Sequence, residues 1–326
     1  MIISRTPFRV SFFGGGSDFP EFFREHRGAT LSATIDKYCY ISLHYLSQFF
    51  NFKYRASYAK TETVMEAAEF KHPLIRECLR HLPNRQGLEM SHVSDLPGRT
   101  GLGTSSSFTV GLLNALHAMR GEKTDPMQLA REAIVIEREK VGDAGGHQDQ
   151  YAAAFGGPLF INYHASGTEV NRIALPDGKM TALKNNLQLF FMGMERTSGE
   201  IMQDQKKRTQ SNISALERMA EMAAHGKKIL ENGQDLTEFG KLLDEAWKLK
   251  KGLADGISND AVDQAYGAAR AAGALGGKLL GAGGAGFILL FTPPKKQPAV
   301  RGQLKQLKEV PFEFSTEGSR IIFRDK

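Results

Sequence analysis

The chain has 326 residues, of which 41% are hydrophobic and 24% charged, a composition typical of globular proteins with one large domain or two ordinary ones. The net charge is +6, but acids are interleaved with the basic residues, so we expect small anionic ligands rather than nucleic acid. No apolar run approaches the ~20 residues of a membrane helix, and Arg5 and Arg9 interrupt any signal-peptide core. We therefore expect a cytoplasmic protein that does not enter a membrane, in which Cys39 and Cys78 are buried thiols.

The first third of the chain is predicted to be mainly β-structure, because it is rich in β-branched and aromatic residues with alternating polarity. Three glycines at 14–16 end the first strand. Strands are predicted over 2–13, 29–46 (one or two strands), 50–58 and 87–94, with a helix over 73–82.

The middle of the chain contains two predicted helices. One follows residue 107 and stops at Gly121. The next has Thr124 or Asp125 as its cap and Pro126 in its first turn, and it is expected to run to about Val141. Further strands are predicted over 158–163 and 187–192, helices over most of 200–272, a glycine loop leading into a strand over 279–291, and strand-like alternation over 312–323.

Strands therefore cluster in the N-terminal part and helices in the C-terminal part, which predicts an α+β fold. The composition changes near 165–185, and we expect two domains, 1–175 and 176–326.

Residues 97–107 (PGRTGLGTSSS) combine three glycines with four consecutive hydroxyl residues and lead directly into a helix. Such a backbone approaches a ligand closely, and a helix N-terminus favours phosphate. A polar turn with a serine cap is the alternative, but it needs fewer hydroxyls. The segment is neither a P-loop, because the lysine is absent, nor a dinucleotide fingerprint. It predicts a phosphate-binding site formed by Pro97, Gly98, Gly101, Gly103, Thr104, Ser105, Ser106 and Ser107.

Glu137 lies on an otherwise apolar stripe of the predicted helix that begins at Pro126. A carboxylate in such a place is costly unless it is paired or binds a metal. Pairing with Arg138 or Lys140 is the structural alternative.

Residues 142–151 (GDAGGHQDQY) form a second glycine-rich segment. Phosphoryl transfer to a hydroxyl requires a carboxylate near that hydroxyl and a cation near the phosphoryl group. Asp149 is the candidate base and Asp143 a loop acid, whereas His147 is expected to be a structural or substrate hydrogen-bonding group.

Residues 7–18 (PFRVSFFGGGSD) place Arg9 inside an apolar strand, where it needs a partner that Asp149 can supply. The glycines leave room for a ligand against the backbone. Asp18 is expected either to accept hydrogen bonds from sugar hydroxyls or to cap a helix over 19–25.

These segments, in this order, resemble the GHMP kinases, the superfamily of galactokinase, homoserine kinase and mevalonate kinase. The resemblance spans Arg5 to Phe291 and includes LLGAGGAGF at 279–287. It implies a two-domain fold with a left-handed βαβ unit in the N-terminal domain, and ATP as co-substrate with Mg²⁺ bound by Ser105 and Glu137. It also implies Asp149 and Arg9 as catalytic residues. The implied sugar site comprises Ser11, Gly15, Gly16, Ser17, Asp18, Gly146, His147, Gly283 and Gly284.

Within that superfamily, the segments 14–23, 35–38 and 72–77 are similar to the D-glycero-D-manno-heptose 7-phosphate kinases, which phosphorylate the anomeric hydroxyl. Galactokinases have glutamate and histidine side chains where this chain has Gly15 and Gly16, which leaves space for a longer sugar. A sugar phosphate is thus the expected acceptor, and Lys53, Arg55 and Lys60 are candidates for its distal phosphate, although a solvated strand face explains them equally. Another anomeric sugar kinase, for fucose or galactose, and a non-catalytic sensor stay as alternatives. A homodimer is compatible with the sequence, which leaves the oligomeric state open.

Overall fold

The structure is a computed structural model that describes residues 1–194, 198–232 and 235–325. Its strands are β1 (Ile2–Phe13), β2 (Gly28–Tyr45), β3 (Tyr54–Ser57), β4 (Thr61–Val64), β5 (Leu88–Ser94), β6 (Pro158–His164), β7 (Gly167–Arg172), β8 (Leu187–Gly193), β9 (Gly276–Leu279), β10 (Gly286–Phe291), β11 (Lys308–Glu309) and β12 (Arg320–Arg324). Its α-helices are α1 (Pro20–Phe23), α2 (Pro73–His81), α3 (Thr104–Met119), α4 (Pro126–Ile134), α5 (Gln148–Phe155), α6 (Lys179–Asn185), α7 (Ser198–Lys207), α8 (Ile213–Glu231), α9 (Leu236–Lys251), α10 (Asp260–Ala271) and α11 (Gln297–Gln303).

Two sheets organise the described residues. The larger one has the order β12-β1-β2-β5-β3-β4, and β6 pairs with β2 and with β7. The smaller one has the order β11-β8-β10-β9. β2 is one continuous strand of 18 residues, and it pairs with β6 through its first part and with β5 through its second. β3 and β5 are parallel and are connected through β4 and α2, so they form a βαβ unit, whose predicted left-handedness stays a prediction.

The core lies beneath β1 and β2. Helix α3 packs against these two strands and is buried along nearly its whole length. A second apolar cluster around Trp247, Phe190 and Ile288 supports the smaller sheet. α8 contacts both β2 and α9, and α9 contacts β9, so these two helices connect the two sheets. Cys39 and Cys78 are both buried, as predicted.

Several boundaries differ from the sequence predictions. The strand predicted over 50–58 is confined to Tyr54–Ser57, and that over 312–323 to Arg320–Arg324. The helix from Pro126 is α-helical to Ile134 and continues as a π-helix over Val135–Val141. Asp125 is its cap and accepts a hydrogen bond from the Gln128 amide at 2.8 Å.

The division into 1–175 and 176–326 stays a prediction. β12 returns to the larger sheet, where it pairs antiparallel with β1. The C-terminal part therefore contributes a strand to the sheet of the N-terminal part.

Candidate active site

A cavity of about 890 Å³ lies where the loop before α3, the turn after β1 and the start of α5 meet α7, α9 and β9. Its wall includes eleven of the predicted site residues, among them both proposed catalytic groups. They are Arg9, Ser11, Gly15, Gly16, Asp18, Gly98, Gly101, Gly103, Thr104, Ser105 and Asp149. The sequence motifs thus converge on one space, large enough for two small ligands.

The loop of residues 97–103 reaches the N-terminus of α3 through left-handed backbone at Gly101 (φ 81°) and Gly103 (φ 73°). Thr104 and Ser105, the first residues of α3, lie on the cavity wall beside the free amide groups of the first helical turn. An anion in the cavity is therefore favoured at this end of the helix.

Two of the four predicted hydroxyl groups point away from the cavity. Ser107 Oγ donates to the Pro7 carbonyl at 2.8 Å, and Ser106 Oγ donates to Glu137 at 2.8 Å. Both serines are buried, because consecutive residues of a helix face different directions. Pro97 is also outside the cavity wall, and its carbonyl accepts a hydrogen bond from the Thr100 hydroxyl. These three residues thus help to fix the loop, and their predicted phosphate contacts stay predictions.

The loop of residues 97–103, here called the phosphate loop, contacts the glycine segment between β9 and β10. A Cβ on Gly101 would lie 2.2 Å from the Leu280 carbonyl oxygen, and a Cβ on Gly281 would lie 2.4 Å from the Gly101 Cα. A Cβ on Gly286 would lie 2.5 Å from the Thr100 carbonyl oxygen. Glycine is required on both sides of this contact, so the second segment fixes the conformation of the first.

Arg9 and Asp149 form a bidentate ion pair, as the sequence predicted for a buried arginine in β1. Arg9 Nε and Nη2 donate to the two Asp149 carboxylate oxygens, both at 2.6 Å, and Nη1 donates to the Gly101 carbonyl at 2.6 Å. The Arg9 side chain is 5% exposed, whereas Asp149 is 25% exposed and faces the cavity. Asp149 lies in the first turn of α5 rather than in the predicted loop. The pair holds an oriented carboxylate beside the phosphate loop.

Asp18 caps α5, not the helix that follows it in sequence. Its carboxylate accepts hydrogen bonds from the Gly16 amide (2.8 Å), the Gln148 amide (3.1 Å) and the Gln148 side chain (3.2 Å). Burial raises the pKa of Asp18, and the neighbouring Asp149 raises it further, although these backbone hydrogen bonds oppose the shift. A Cβ on Gly146 would lie 2.0 Å from Asp18 Oδ2, so this glycine makes room for the cap. Gly146 does not line the cavity, and its sugar contact stays a prediction.

Ser17 and His147 also lie outside the cavity wall. Ser17 Oγ is buried and bonds to the Gly14 and Ala29 carbonyls at 2.8 and 3.0 Å, which stabilises the turn after β1. The His147 ring contacts the Phe23 ring edge-on at 5.2 Å between centroids. Burial, followed by the nearby Arg138, lowers the pKa of His147 to about 4. Both residues therefore support the site from outside the cavity wall, and their sugar contacts stay predictions.

Ser11, Gly15, Gly16, Asp18 and Gln148 form one end of the cavity, here called the acceptor side. The Ser11 hydroxyl and Gln148 Oε1 are buried and have no hydrogen-bond partner among the described residues. A Cβ on Gly15 would approach Gln148 Nε2 at 3.3 Å, so glycine leaves these groups accessible. Unsatisfied buried polar groups are costly, and a polyhydroxyl ligand would satisfy them.

Another part of the cavity wall, here called the nucleotide side, is formed by Arg99 and an aromatic cluster of Tyr58, His72, His92 and Phe108. The His72 and His92 rings lie 5.3 and 5.1 Å from the Phe108 ring. The sequence analysis missed this cluster, because its members come from four segments that are distant in sequence and share no local motif: Tyr58 follows β3, His72 precedes α2, His92 is in β5 and Phe108 is in α3.

Gly283 and Gly284 are placed outside this cavity wall, which Gly281 and Ala282 enter instead. A Cβ on Gly283 would lie 2.4 Å from the Ile257 Cα, and the Gly284 amide donates to the Ile257 carbonyl at 3.1 Å. These two glycines pack the turn against the segment before α10, and their sugar contact stays a prediction.

Glu137 is fully enclosed, and burial raises its pKa to about 7. One carboxylate oxygen accepts hydrogen bonds from Ser106 and Gln150, whereas Oε1 is buried without a partner among the described residues. A spare carboxylate oxygen close to serine hydroxyls suits Mg²⁺, which takes oxygen ligands and few of them from protein. The structure pairs Glu137 with Ser106, while Ser105, the predicted ligand, faces the cavity.

Lys250 of α9 and Lys278 of β9 are further residues that the sequence analysis missed, although both line the cavity and are buried. The available signal was Lys278 itself, a charged residue inside the apolar segment GGKLL.

Across the described ranges, no helix is both long and apolar enough to span a membrane.

A helix N-terminus and a glycine loop that suit phosphate, beside an oriented carboxylate and its guanidinium partner, define a small-molecule phosphotransferase. The profile of the GHMP kinases N terminal domain matches residues 63–157, and that of the GHMP kinases C terminal domain matches residues 213–309. The chain belongs to the GHMP kinase family, with its two-domain mixed α/β fold, and is an ATP-dependent kinase.

Three relatives illustrate the similarity. The chain is 28% identical to the D-glycero-alpha-D-manno-heptose 7-phosphate kinase of Campylobacter jejuni over 97% of both chains. The crystal structure of a D-glycero-D-manno-heptose 1-phosphate kinase from Bacteroides thetaiotaomicron has a TM-score of 0.82 at 26% identity and covers 100% of both chains. The chain is also 29% identical to the L-fucokinase/L-fucose-1-P guanylyltransferase of Bacteroides fragilis. The matched region covers 66% of this chain and 23% of that protein.

Proposed function

We propose that this protein transfers the γ-phosphoryl group of ATP to the anomeric hydroxyl of D-glycero-D-manno-heptose 7-phosphate, giving the α-1,7-bisphosphate. The observation that carries the proposal is the Arg9–Asp149 pair, which lies between the phosphate loop and an acceptor side lined by glycines and unsatisfied polar groups. The full-length similarity to two heptose phosphate kinases supports this acceptor class, although their names place the phosphate at different positions.

The residues suggest a division of labour. The N-terminus of α3 and the loop at 97–103 bind the triphosphate, and the aromatic cluster of the nucleotide side receives the base. Asp149 accepts the proton of the attacking hydroxyl, whose oxygen bonds to the γ-phosphorus while the bond to the ADP oxygen breaks. A carboxylate oxygen has more than one lone pair, so Asp149 retains acceptor capacity while Arg9 holds it. Arg9 orients this carboxylate and stabilises negative charge beside it.

Mg²⁺, bound by Glu137 with Ser105 or Ser106, would neutralise charge on the β- and γ-phosphate oxygens. Ser106 and Gln150 hold the Glu137 carboxylate in place by donating hydrogen bonds to it. We further propose that the reaction takes place in the cytoplasm, where ATP is available, and that its product enters GDP-heptose synthesis for surface glycans.

A substrate panel tests the proposal. Purified enzyme receives heptose 7-phosphate, heptose 1-phosphate, free heptose, mannose, fucose and galactose at equal concentration, and ADP release is followed with and without each sugar. We expect the highest kcat/KM with heptose 7-phosphate, and product analysis should show phosphate at the anomeric position. The D149N variant controls for contaminating ATPase activity. A higher kcat/KM with fucose would refute the heptose assignment and support a fucokinase. The similarity to the Bacteroides fragilis protein is the reason for including this alternative.

A further inference from the structure

Lys278 is a buried lysine on the cavity wall. It belongs to the short strand β9, where 2% of the residue is exposed, and its Nζ donates to the Phe12 carbonyl at 3.2 Å. Within the residues that the structure describes, no carboxylate lies within ion-pair distance of Lys278. A buried ammonium group with a single carbonyl acceptor is costly, because it has three donors to satisfy.

Lys250 reaches the same cavity from α9. It is 5% exposed, and its Nζ donates to the carbonyl oxygen of Gly281. Two lysines from different elements therefore bring their side chains to one wall. The Phe12 carbonyl positions the ammonium group of Lys278 but carries no compensating charge.

The surrounding charges make this wall suited to an anion. Burial lowers the pKa of Lys278, and the neighbouring Lys250 and Arg9 lower it further, whereas Asp18 opposes the shift. Arg9 is already engaged by Asp149, and Asp18 by the α5 amides. A phosphate dianion is a ligand that would compensate the charge of Lys278 and attract the neighbouring Lys250.

The position of Lys278 favours the acceptor over the nucleotide. Phe12, its hydrogen-bond partner, follows Ser11 in β1 and precedes the glycine turn of the acceptor side. The phosphates of ATP are instead expected at the α3 N-terminus, beside Thr104 and Ser105.

The sequence analysis named Lys53, Arg55 and Lys60 as candidates for the distal phosphate. All three lie outside the cavity wall. Arg55 Nε is bound to Glu89 at 2.6 Å, Lys53 lies over the Tyr54 ring, and Lys60 is exposed in the turn between β3 and β4. The two lysines on the cavity wall are better placed to meet a bound sugar phosphate than these three residues.

We propose that Lys278 and Lys250 bind the phosphate group carried by the acceptor sugar and thereby select phosphorylated over free sugars. This inference rests on the proposed sugar-phosphate kinase function and names the residues that read the phosphate. The remote charge contact orients the anomeric hydroxyl towards Asp149, so its binding energy contributes to turnover.

The test compares the wild type with K278M and K250M, using heptose 7-phosphate and free heptose as acceptors. Loss of a charge-assisted hydrogen bond should lower kcat/KM for the phosphorylated sugar about 10–100-fold in each variant. The kcat/KM for free heptose and the KM for ATP should stay within about twofold of the wild-type values. K248M is the matched control, because Lys248 lies on the same helix, is 69% exposed and pairs with Asp244.

Binding without turnover provides the second readout. Calorimetry without nucleotide should detect heptose 7-phosphate binding to the wild type and K248M, but much weaker binding to K278M. Thermal unfolding and ATP binding verify that each variant is folded.

The inference is overturned if both lysine variants retain the wild-type preference for phosphorylated sugar. It is also overturned if they lose activity equally with both sugars while the KM for ATP rises, because the lysines would then serve the transferred phosphoryl group. A wild-type enzyme with no preference for the phosphorylated sugar refutes the proposed function itself, before any variant is compared.

Discussion

Replacing Gly103 by alanine should separate the geometry of the catalytic pair from the stability of the fold. Gly103 has φ +73°, and a Cβ there would lie 3.3 Å from Arg9 Cγ and 3.3 Å from Asp149 Oδ2. Comfortable contacts between carbon atoms are ~3.5–4.0 Å. The new methyl group therefore displaces the ion pair by a few tenths of an ångström, or the loop moves away from it.

Two costs follow from these values. Left-handed backbone costs a residue with a Cβ about 1–2 kcal/mol of folding free energy. Displacement of the pair reduces kcat, since a misplacement of ~1 Å can cost ~10²-fold. Because the expected displacement is only a few tenths of an ångström, we expect G103A to lower kcat about 4–10-fold while ATP binding is largely retained.

Gly121 provides the control, because it has φ +77° and a Cβ added there would meet no other side chain or backbone atom within 4 Å. G121A should carry the same backbone cost without the contact. Urea unfolding measures the free energy of each variant, and ADP release measures kcat. The reasoning is refuted if G103A keeps kcat within about twofold of the wild type, or if G121A loses as much activity.

Three further expectations concern single groups. D149N should lower kcat ~10²–10⁴-fold with ATP binding intact, as measured by ADP release and nucleotide titration; near-normal kcat would exclude Asp149 as the base. S105A and E137Q should each raise the Mg²⁺ concentration for half-maximal rate, and an unchanged value in both would remove them from the metal site. The pKa of His147 is about 4 in the folded protein, below the ordinary value of 6.5. As the pH decreases, the unfolded state therefore binds the proton first. The free energy of unfolding should thus fall as the pH decreases from about 6.5 towards 4. Urea unfolding of H147N over this range should show a shallower decrease, and an identical pH dependence would contradict the assignment.

Local chemistry made part of this site predictable from sequence. The glycine and hydroxyl residues of 97–107 carry their own conformational and phosphate preferences, and a buried Arg9 in a strand requires an acidic partner. The pairing of Arg9 with Asp149 is confirmed by two 2.6 Å hydrogen bonds. The strand and helix assignments followed from periodicity, so their types were more accurate than their ends.

Other parts depend on contacts between segments that are distant in sequence. Asp18 is 130 residues from the helix start that it caps, so capping rules based on neighbours select the wrong helix. Ser105 and Ser106 have the same chemistry, and only the orientation of α3 against the π-helix decides which of them meets Glu137. Lys278 lies in a strand of the smaller sheet, yet its Nζ donates to the Phe12 carbonyl of the larger sheet, a contact that the local pattern does not reveal.

The pairing of β12 with β1 has a consequence for synthesis of the protein on the ribosome. β1 is translated before the other strands described here, and its outer neighbour, Arg320–Arg324, follows some three hundred residues later. At a typical ~5–20 residues per second, the outer edge of β1 stays without that neighbour for at least ~15 seconds. An open strand edge is a template for pairing with another chain. A nascent N-terminal part is thus exposed to aggregation until translation nears residue 324, and shielding of that edge by a chaperone would matter most during this interval.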